Sequence, residues 1–342
     1  MNKEVRFIAI GALALLAVGC ASTDTVSIDA LAPDYRVDDS RVTVKYRDQR
    51  TKAAISVDDW SRVERLVNLT GNSDARTYIS EPDASPTQDA IVYAVLGDDG
   101  SGIVRQATTS QARTSITGQV ALNLSPTFTP DGQYLVFSSD RSGEGQDLWR
   151  KRADGAGGIT QVTTSTAFDV RPSVAADGET IVFQSHRVND LQPSVWSVNM
   201  NGGLLTRLSD GESPRVSPGG RRIAFVKRDP RTGLRTIWVM QIDGSGQTQL
   251  STGSIEDKDP SWHPSGRYIV FSSNEALSED GERNFDIWLM NPDGTNRVRL
   301  TSNISRDDAP VFDRSGRRIV FRSNRGGAWN LYTFEPNLQG GG

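Results

Sequence analysis

Histidine and cysteine are nearly absent from this chain, which has two of the first and one of the second in 342 residues. A single thiol, Cys20, cannot form an intrachain disulfide, and His186 and His263 stand in no Cys/His pattern with metal-ligand spacing, so a histidine-held metal centre is excluded. No G-x-S-x-G occurs, which removes the nucleophile elbow of the α/β hydrolases. An excess of basic residues is also missing: the net charge is −4, leaving nucleic acid no basic face to bind. The apolar run Phe7 to Val18 is too short to span a bilayer, which takes about 20 residues. Glycine is abundant, with 32 residues, and together with a 36% hydrophobic content this suits short strands joined by many turns.

One pattern organises what is present. A proline is followed eleven residues later by an aromatic in six places: Pro82 and Tyr93, Pro126 and Phe137, Pro172 and Phe183, Pro214 and Phe225, Pro260 and Phe271, Pro310 and Phe321. Successive prolines are 44, 46, 42, 46 and 50 residues apart, a period that points to propeller blades when the units are strand-like. In the copy DPSWHPSGRYIVFSSN, Pro260 to Pro264 reads as an extended strand, Ser265-Gly266 as a turn and Arg267 to Phe271 as a β-branched and aromatic strand. Asp286 to Met290 is a third strand, Pro292-Asp293-Gly294 ends it, and Val298 to Thr301 alternates as an outer edge would. Four strands per repeat make one blade.

The sixth repeat has no fourth strand after Tyr332, whereas Arg65 to Thr70 has the fourth-strand pattern and stands ahead of the first blade. The expected fold is therefore an all-β, six-bladed propeller of four-stranded blades, closed by an N-terminal strand that completes the last blade and removes an open edge. The expected domain order is a signal segment over 1–20, a polar tether over 21–64, the propeller over 65–337 and a tail over 338–342. Val42, Val44 and Tyr46 suggest one short strand in the tether, and Val57, Trp60, Val63 and Val67 suggest a short amphipathic helix leading into the closing strand.

The repeat PSWHPSGRYIVFSSN…FDIWLMNPDGTNRVRLTSN resembles that of the TolB-type propellers, relatives of the WD repeat in which a P-D-G or P-S-G turn, a D-I-W strand and an R-L-T strand recur. The resemblance covers residues 66–336. It implies a non-enzymatic, protein-binding propeller of the bacterial envelope whose partner is a peptidoglycan-associated lipoprotein, with no cofactor. The first residues resemble a lipoprotein signal: Lys3 and Arg6 precede the apolar run, and Ala17-Val18-Gly19-Cys20 has the form of a lipobox, with Leu16 four residues before the cysteine rather than three. That likeness implies that Cys20 carries the lipid and anchors the chain to a membrane. Ala21, in place of an inner-membrane aspartate, favours the outer membrane facing the periplasm.

In this strand order the turns between strands one and two and between strands three and four are tight and share one face, while the other face receives every long loop, the usual place for binding. Asn123, Asp169, Asp257 and Asp307 stand three residues before a repeat proline, a position expected at one mouth of the central channel. Arg141, Arg187 and Arg325 follow the second strand in their blades. These acids read either as turn caps paired with the arginines or as a cation or partner site. The partner-binding candidates are Arg141, Arg187, Asp257, Asn274, Asp307 and Arg325. The alternative function is a carbohydrate-active or other hydrolytic propeller using carboxylates at the channel mouth, as paired acids with split pKa values do. The third-strand residues Trp149, Trp196, Trp238 and Trp288 read as core between blades, and His263 as a packing or surface residue.

Overall fold

A computed structural model describes residues 63–71, 78–97, 100–143, 145–187, 190–277, 281–302, 304–336 and two short paired strands, Lys45–Arg47 and Ala54–Ser56. The signal segment, Cys20 and the tail 338–342 lie outside the described residues.

The fold is an all-β, six-bladed propeller of antiparallel blades. Blades two to five run from the inner strand outward in chain order; the fifth, for instance, pairs Asp257–Trp262, Ile269–Ser273, Asp286–Met290 and Val298–Arg299. In the first blade the inner strand is split by Pro82 into Tyr78–Ile79 and Asp83–Ala84, both paired with Ala90–Gly97. Apolar residues of the second strands are sealed, with Tyr93, Phe137, Phe183, Phe225, Phe271 and Phe321 all at 0% exposure. The core is divided among the blade interfaces: Val270, Ile287 and Leu289 of the fifth blade pack against Phe312, Phe321 and Phe334 of the sixth. Each blade thus covers the apolar face of its neighbour.

The sixth blade contains Asp307–Phe312, Ile319–Ser323 and Asn330–Pro336, and its outer strand is Val63–Asn68 from the other end of the propeller. Tyr332 pairs with Asn68 and Thr333 with Val67. The closing strand begins two residues earlier than the sequence pattern suggests and takes in Val63 and Val67, so the helical reading of those two positions gives way to a strand. A recurring hydroxyl supports the equivalence of this strand with the other outer strands. The third-strand amides of Ile103, Leu148, Ile237 and Ile287 donate to Thr117, Thr163, Ser251 and Thr301, which follow the outer strands of their blades at 2.8–2.9 Å. In the sixth blade the amide of Leu331 donates to Thr70 Oγ1 at 3.0 Å.

The repeat proline sits at a β-bulge. Register shifts between Val170 and Ser173, Glu212 and Arg215, Lys258 and Ser261, and Asp308 and Val311 mark it in four inner strands. Proline, lacking an N–H, is tolerated where the ladder is already interrupted. The residue before it takes a left-handed backbone in five blades: Ser125, Arg171, Ser213, Asp259 and Ala309 have φ of 48–54°. Conformations of this kind are uncommon for non-glycine residues, and here they turn one side chain per blade toward the axis.

Candidate functional site

The residues expected at the channel mouth are inside the blades. Asn123, Asp169, Asp257 and Asp307 are all fully buried at the start of their inner strands. Arg141 Nη2 donates to Asn123 Oδ1 at 2.5 Å, and Arg325 Nη2 to Asp307 Oδ2 at 2.6 Å. Arg187 lies 3.6 Å from Asp169. Each cation also lies over aromatic rings of its blade: Arg141 over Phe137 and Trp149, Arg187 over Trp196, and Arg325 over Phe321 and Tyr332, at 4.7–5.4 Å from the ring centroids. In the fifth blade Glu275 occupies the arginine's place, and Arg297 arrives from the outer side to stack on Phe271 and bond Asp257 at 3.1 Å. Asn274 stands one position earlier, where its Oδ1 accepts the amide of Glu256 at 2.8 Å, as Asn324 does for Arg306.

The expectation of a partner-facing ring is thereby corrected for Asp257, Asp307 and Arg325, which are out of solvent's reach. Arg141, Arg187 and Asn274 keep partial exposure; the polar groups of Arg141 and Asn274 already serve their own blades, while Arg187 meets Asp169 only at 3.6 Å and its Nε and Nη2 make no hydrogen bond among the described residues. Burial raises the pKa of Asp169 and of Asp257, against the pull of Ser185 and Arg187 on the first and of Arg297 on the second. The third-strand tryptophans lie in or against the inter-blade clusters, as read. His263 packs edge-on against Phe312 at 4.7 Å and donates from Nε2 to Gly316 O at 3.2 Å, a structural role.

The fourth blade breaks the rule in a way that can be tested. Gly211 takes the Asx position with φ of 144°, and a Cβ there would lie 2.8 Å from the Phe225 ring and 2.7 Å from Val226 O. Lys227 covers Phe225 and Trp238 instead of an arginine. Restoring the repeat's consensus with Gly211→Asp is therefore expected to lower stability, by about 1–3 kcal/mol or more from overpacking alone. Chemical denaturation of the variant checks this.

The groups that do line the channel are those directly before the repeat prolines: Glu81, Ser125, Arg171, Ser213, Asp259 and Ala309. Arg171 bridges the axis, with Nη2 to Glu81 at 2.8 Å and Nη1 to Ser213 Oγ at 2.6 Å and to Asp259 at 3.3 Å. Lys258 joins Asp259 at 2.5 Å to Asp308 at 3.2 Å, and Arg322 holds Asp308 in a two-pronged pair at 2.7 and 3.0 Å. Arg322 then reaches Ile79 O at 3.2 Å and the Tyr78 hydroxyl, spanning the junction of the last and first blades. Burial would raise the carboxyl of Asp259, but Lys258 and Arg171 outweigh it and hold the group well below the usual range. Asp308 is likewise held down against burial by Arg322 and Lys258. The constriction leaves a cavity of about 30 Å³, room for about one water. Beyond it the channel widens on the tight-turn face into a funnel of about 370 Å³.

No recurring residue type marks the channel ring, so only the positional rule, the residue before each repeat proline, could have found it. The long-loop face carries exposed apolar side chains: Val120, Phe168, Leu191 and Leu277, with Leu191 at 99%.

The family model described as the TolB beta propeller domain matches residues 42–280. The chain is 38% identical over 176 residues to the Tol-Pal system protein TolB of Bordetella pertussis, a match covering 51% of this chain and 36% of that protein. Its matches span about a third of the length of the curated relatives, 35% and 36% for the first two. The structure of TolB from Acinetobacter baumannii superposes with a TM-score of 0.57 at 17% identity, over 80% of this chain and 67% of that one. XC5397 of Xanthomonas campestris, a gluconolactonase, superposes with a TM-score of 0.59 at 15% identity, over 80% and 91%. At these identities the structural likenesses speak for the fold alone.

Proposed function

Since the chain belongs to the TolB beta propeller domain family, we propose that it is a non-enzymatic, lipid-tethered scaffold of the bacterial cell envelope that docks a protein partner on its long-loop face. One observation carries the reading: four acids at the constriction and in the inner strands beside it are fixed counter-charges. Asp257, Asp259, Asp307 and Asp308 are each ion-paired at 2.5–3.3 Å within the propeller, whereas acid–base chemistry needs a carboxyl free to exchange its proton with a substrate. Among the described residues no group of three His, Cys, Asp or Glu side chains is placed to hold a metal ion.

The exposed apolar side chains of the long loops offer a partner its contact area. The class of partner implied by the Tol-Pal relative is a peptidoglycan-associated lipoprotein. Cys20 would carry the acyl chains, and more than one chain makes such an anchor stable, at about 0.8 kcal/mol per buried CH₂. The address would be the outer membrane, with the propeller in the periplasm.

Two measurements test this. Cys20→Ser is expected to move the protein from the membrane to the soluble fraction, and retention in the membrane would contradict the anchor. Leu191→Asp with Leu277→Asp is expected to weaken binding to a purified peptidoglycan-associated lipoprotein by about tenfold or more, the scale of losing one or two apolar contacts. Leu204→Asp, on an exposed tight turn of the opposite face, is expected to leave binding unchanged.

A further inference from the structure

We infer that the funnel on the tight-turn face is a binding site for a small hydroxylated carboxylate, held through its negative charge on Arg215. The residue after each repeat proline lines the funnel wall, giving a ring of Asp83, Thr127, Ser173, Arg215, Ser261 and Val311. Arg215 is the one cation of that ring and lines the constriction as well, while Arg314 lines only the funnel. The cations of the neighbouring layer, Arg171, Lys258 and Arg322, are all ion-paired. By contrast, no hydrogen bond or ion pair holds the Arg215 guanidinium among the described residues. Its backbone is nevertheless fixed, because Trp262 Nε1 donates to Arg215 O at 3.0 Å. A cation carried on a fixed backbone at the narrow end of the funnel, with no hydrogen bond or ion pair of its own among the described residues, is available to an anion.

The opposite wall narrows the class. Asp83 belongs to the first blade and Arg215 to the fourth, so they face each other across the six-membered ring. Asp83 Oδ2 accepts from Thr127 Oγ1 at 3.0 Å and from Phe128 N at 2.9 Å, which fixes the carboxylate in the wall. A second negative charge on the ligand would meet this carboxylate, whereas hydroxyl groups could donate to it and to the Ser and Thr oxygens of the ring. Phe128, Trp262 and Phe312 supply apolar wall for the ligand's carbon skeleton. The volume lies at the lower end of the roughly 300–1,000 Å³ common for small-molecule sites. A compact monoanion with several hydroxyls, of the sugar-acid type, meets all of these conditions. This site is independent of partner docking, which is assigned to the other face.

Isothermal titration of the purified propeller-containing chain with gluconate, glucuronate and neutral glucose tests the assignment. Saturable binding is expected for at least one of the acids and none for glucose. Arg215→Met is expected to raise the dissociation constant by about tenfold or more, the loss of one charge-assisted hydrogen bond, at an unchanged unfolding temperature, while Arg215→Lys retains part of the affinity. If Arg215→Met fails to fold, the Lys variant's weakened binding of the acid carries the test. No saturable heat from either acid at millimolar concentration would overturn the proposal. So would equal binding of glucose, or binding indifferent to both substitutions.

Discussion

Leu69→Asp is expected to unfold most of the propeller at physiological temperature, because the residue joins neighbours in the first blade to Val311, Val320 and Leu331 at the far end of the chain. Leu69 is 3% exposed and packs with Ile79, Ile91, Tyr93, Val311, Val320 and Leu331, at the seam where the last blade meets the first. Its amide donates to Leu331 O at 2.8 Å, and Thr70 Oγ1 donates to Asn330 Oδ1 at 2.8 Å. Losing the burial of one leucine removes about 1.5–3 kcal/mol. A carboxylate placed in an apolar site without a partner adds several more, or protonates at comparable cost. Against a typical total of roughly 5–15 kcal/mol, the sum is decisive. Val26→Asp, in the stretch ahead of the described strands, serves as the control and is expected to leave the unfolding midpoint unchanged. Equal midpoints for the two variants would place the closure elsewhere.

The second large effect lies in the ion network beside the axis. Asp308→Asn is expected to cost about 3–5 kcal/mol at neutral pH, because it leaves Arg322, itself 6% exposed, without its counter-charge. Asp169→Asn is expected to be nearly neutral or stabilising, since the second blade already carries Asn123 at that position. The two differ in sign with pH. Asp308 has a carboxyl lowered in the folded state, so its contribution is present above the ordinary carboxylate range and is lost as pH falls through the lowered value. Asp169 has one raised by burial, so its contribution is complete below the ordinary range and is lost as pH rises through the raised value. Denaturant midpoints from pH 3 to pH 8 should therefore show the Asp308→Asn deficit shrinking toward acid and any Asp169→Asn gain appearing toward neutrality.

The fold was legible because each blade repeats two landmarks that answer to different physical demands. The proline marks a place where the inner strand gives up ladder bonds, and the aromatic marks the sealed second strand. The closing strand could be found for the same reason: Leu66, Leu69 and Thr70 repeat the apolar and hydroxyl positions of the other outer strands, although the strand itself starts at Val63, ahead of that pattern. The site was less legible. An aspartate beside a long loop reads as exposed, yet Asp257 and Asp307 are roofed by an arginine lying on the blade's aromatic pair, a contact between distant positions that no local pattern announces. The channel ring was hidden because the bulge at each proline breaks the period-2 alternation by which strand faces are read. Its members, among them Glu81, Arg171 and Ala309, share a position but no chemistry.

The most direct test of the scaffold reading is site-specific photo-crosslinking in intact cells, with a benzoyl-phenylalanine at Leu191 or Leu277 on the long loops and at Leu204 on the tight-turn face. The account predicts that Leu191 and Leu277 capture a peptidoglycan-associated lipoprotein while Leu204 does not. Capture of that partner from Leu204, with none from Leu191 or Leu277, would contradict it.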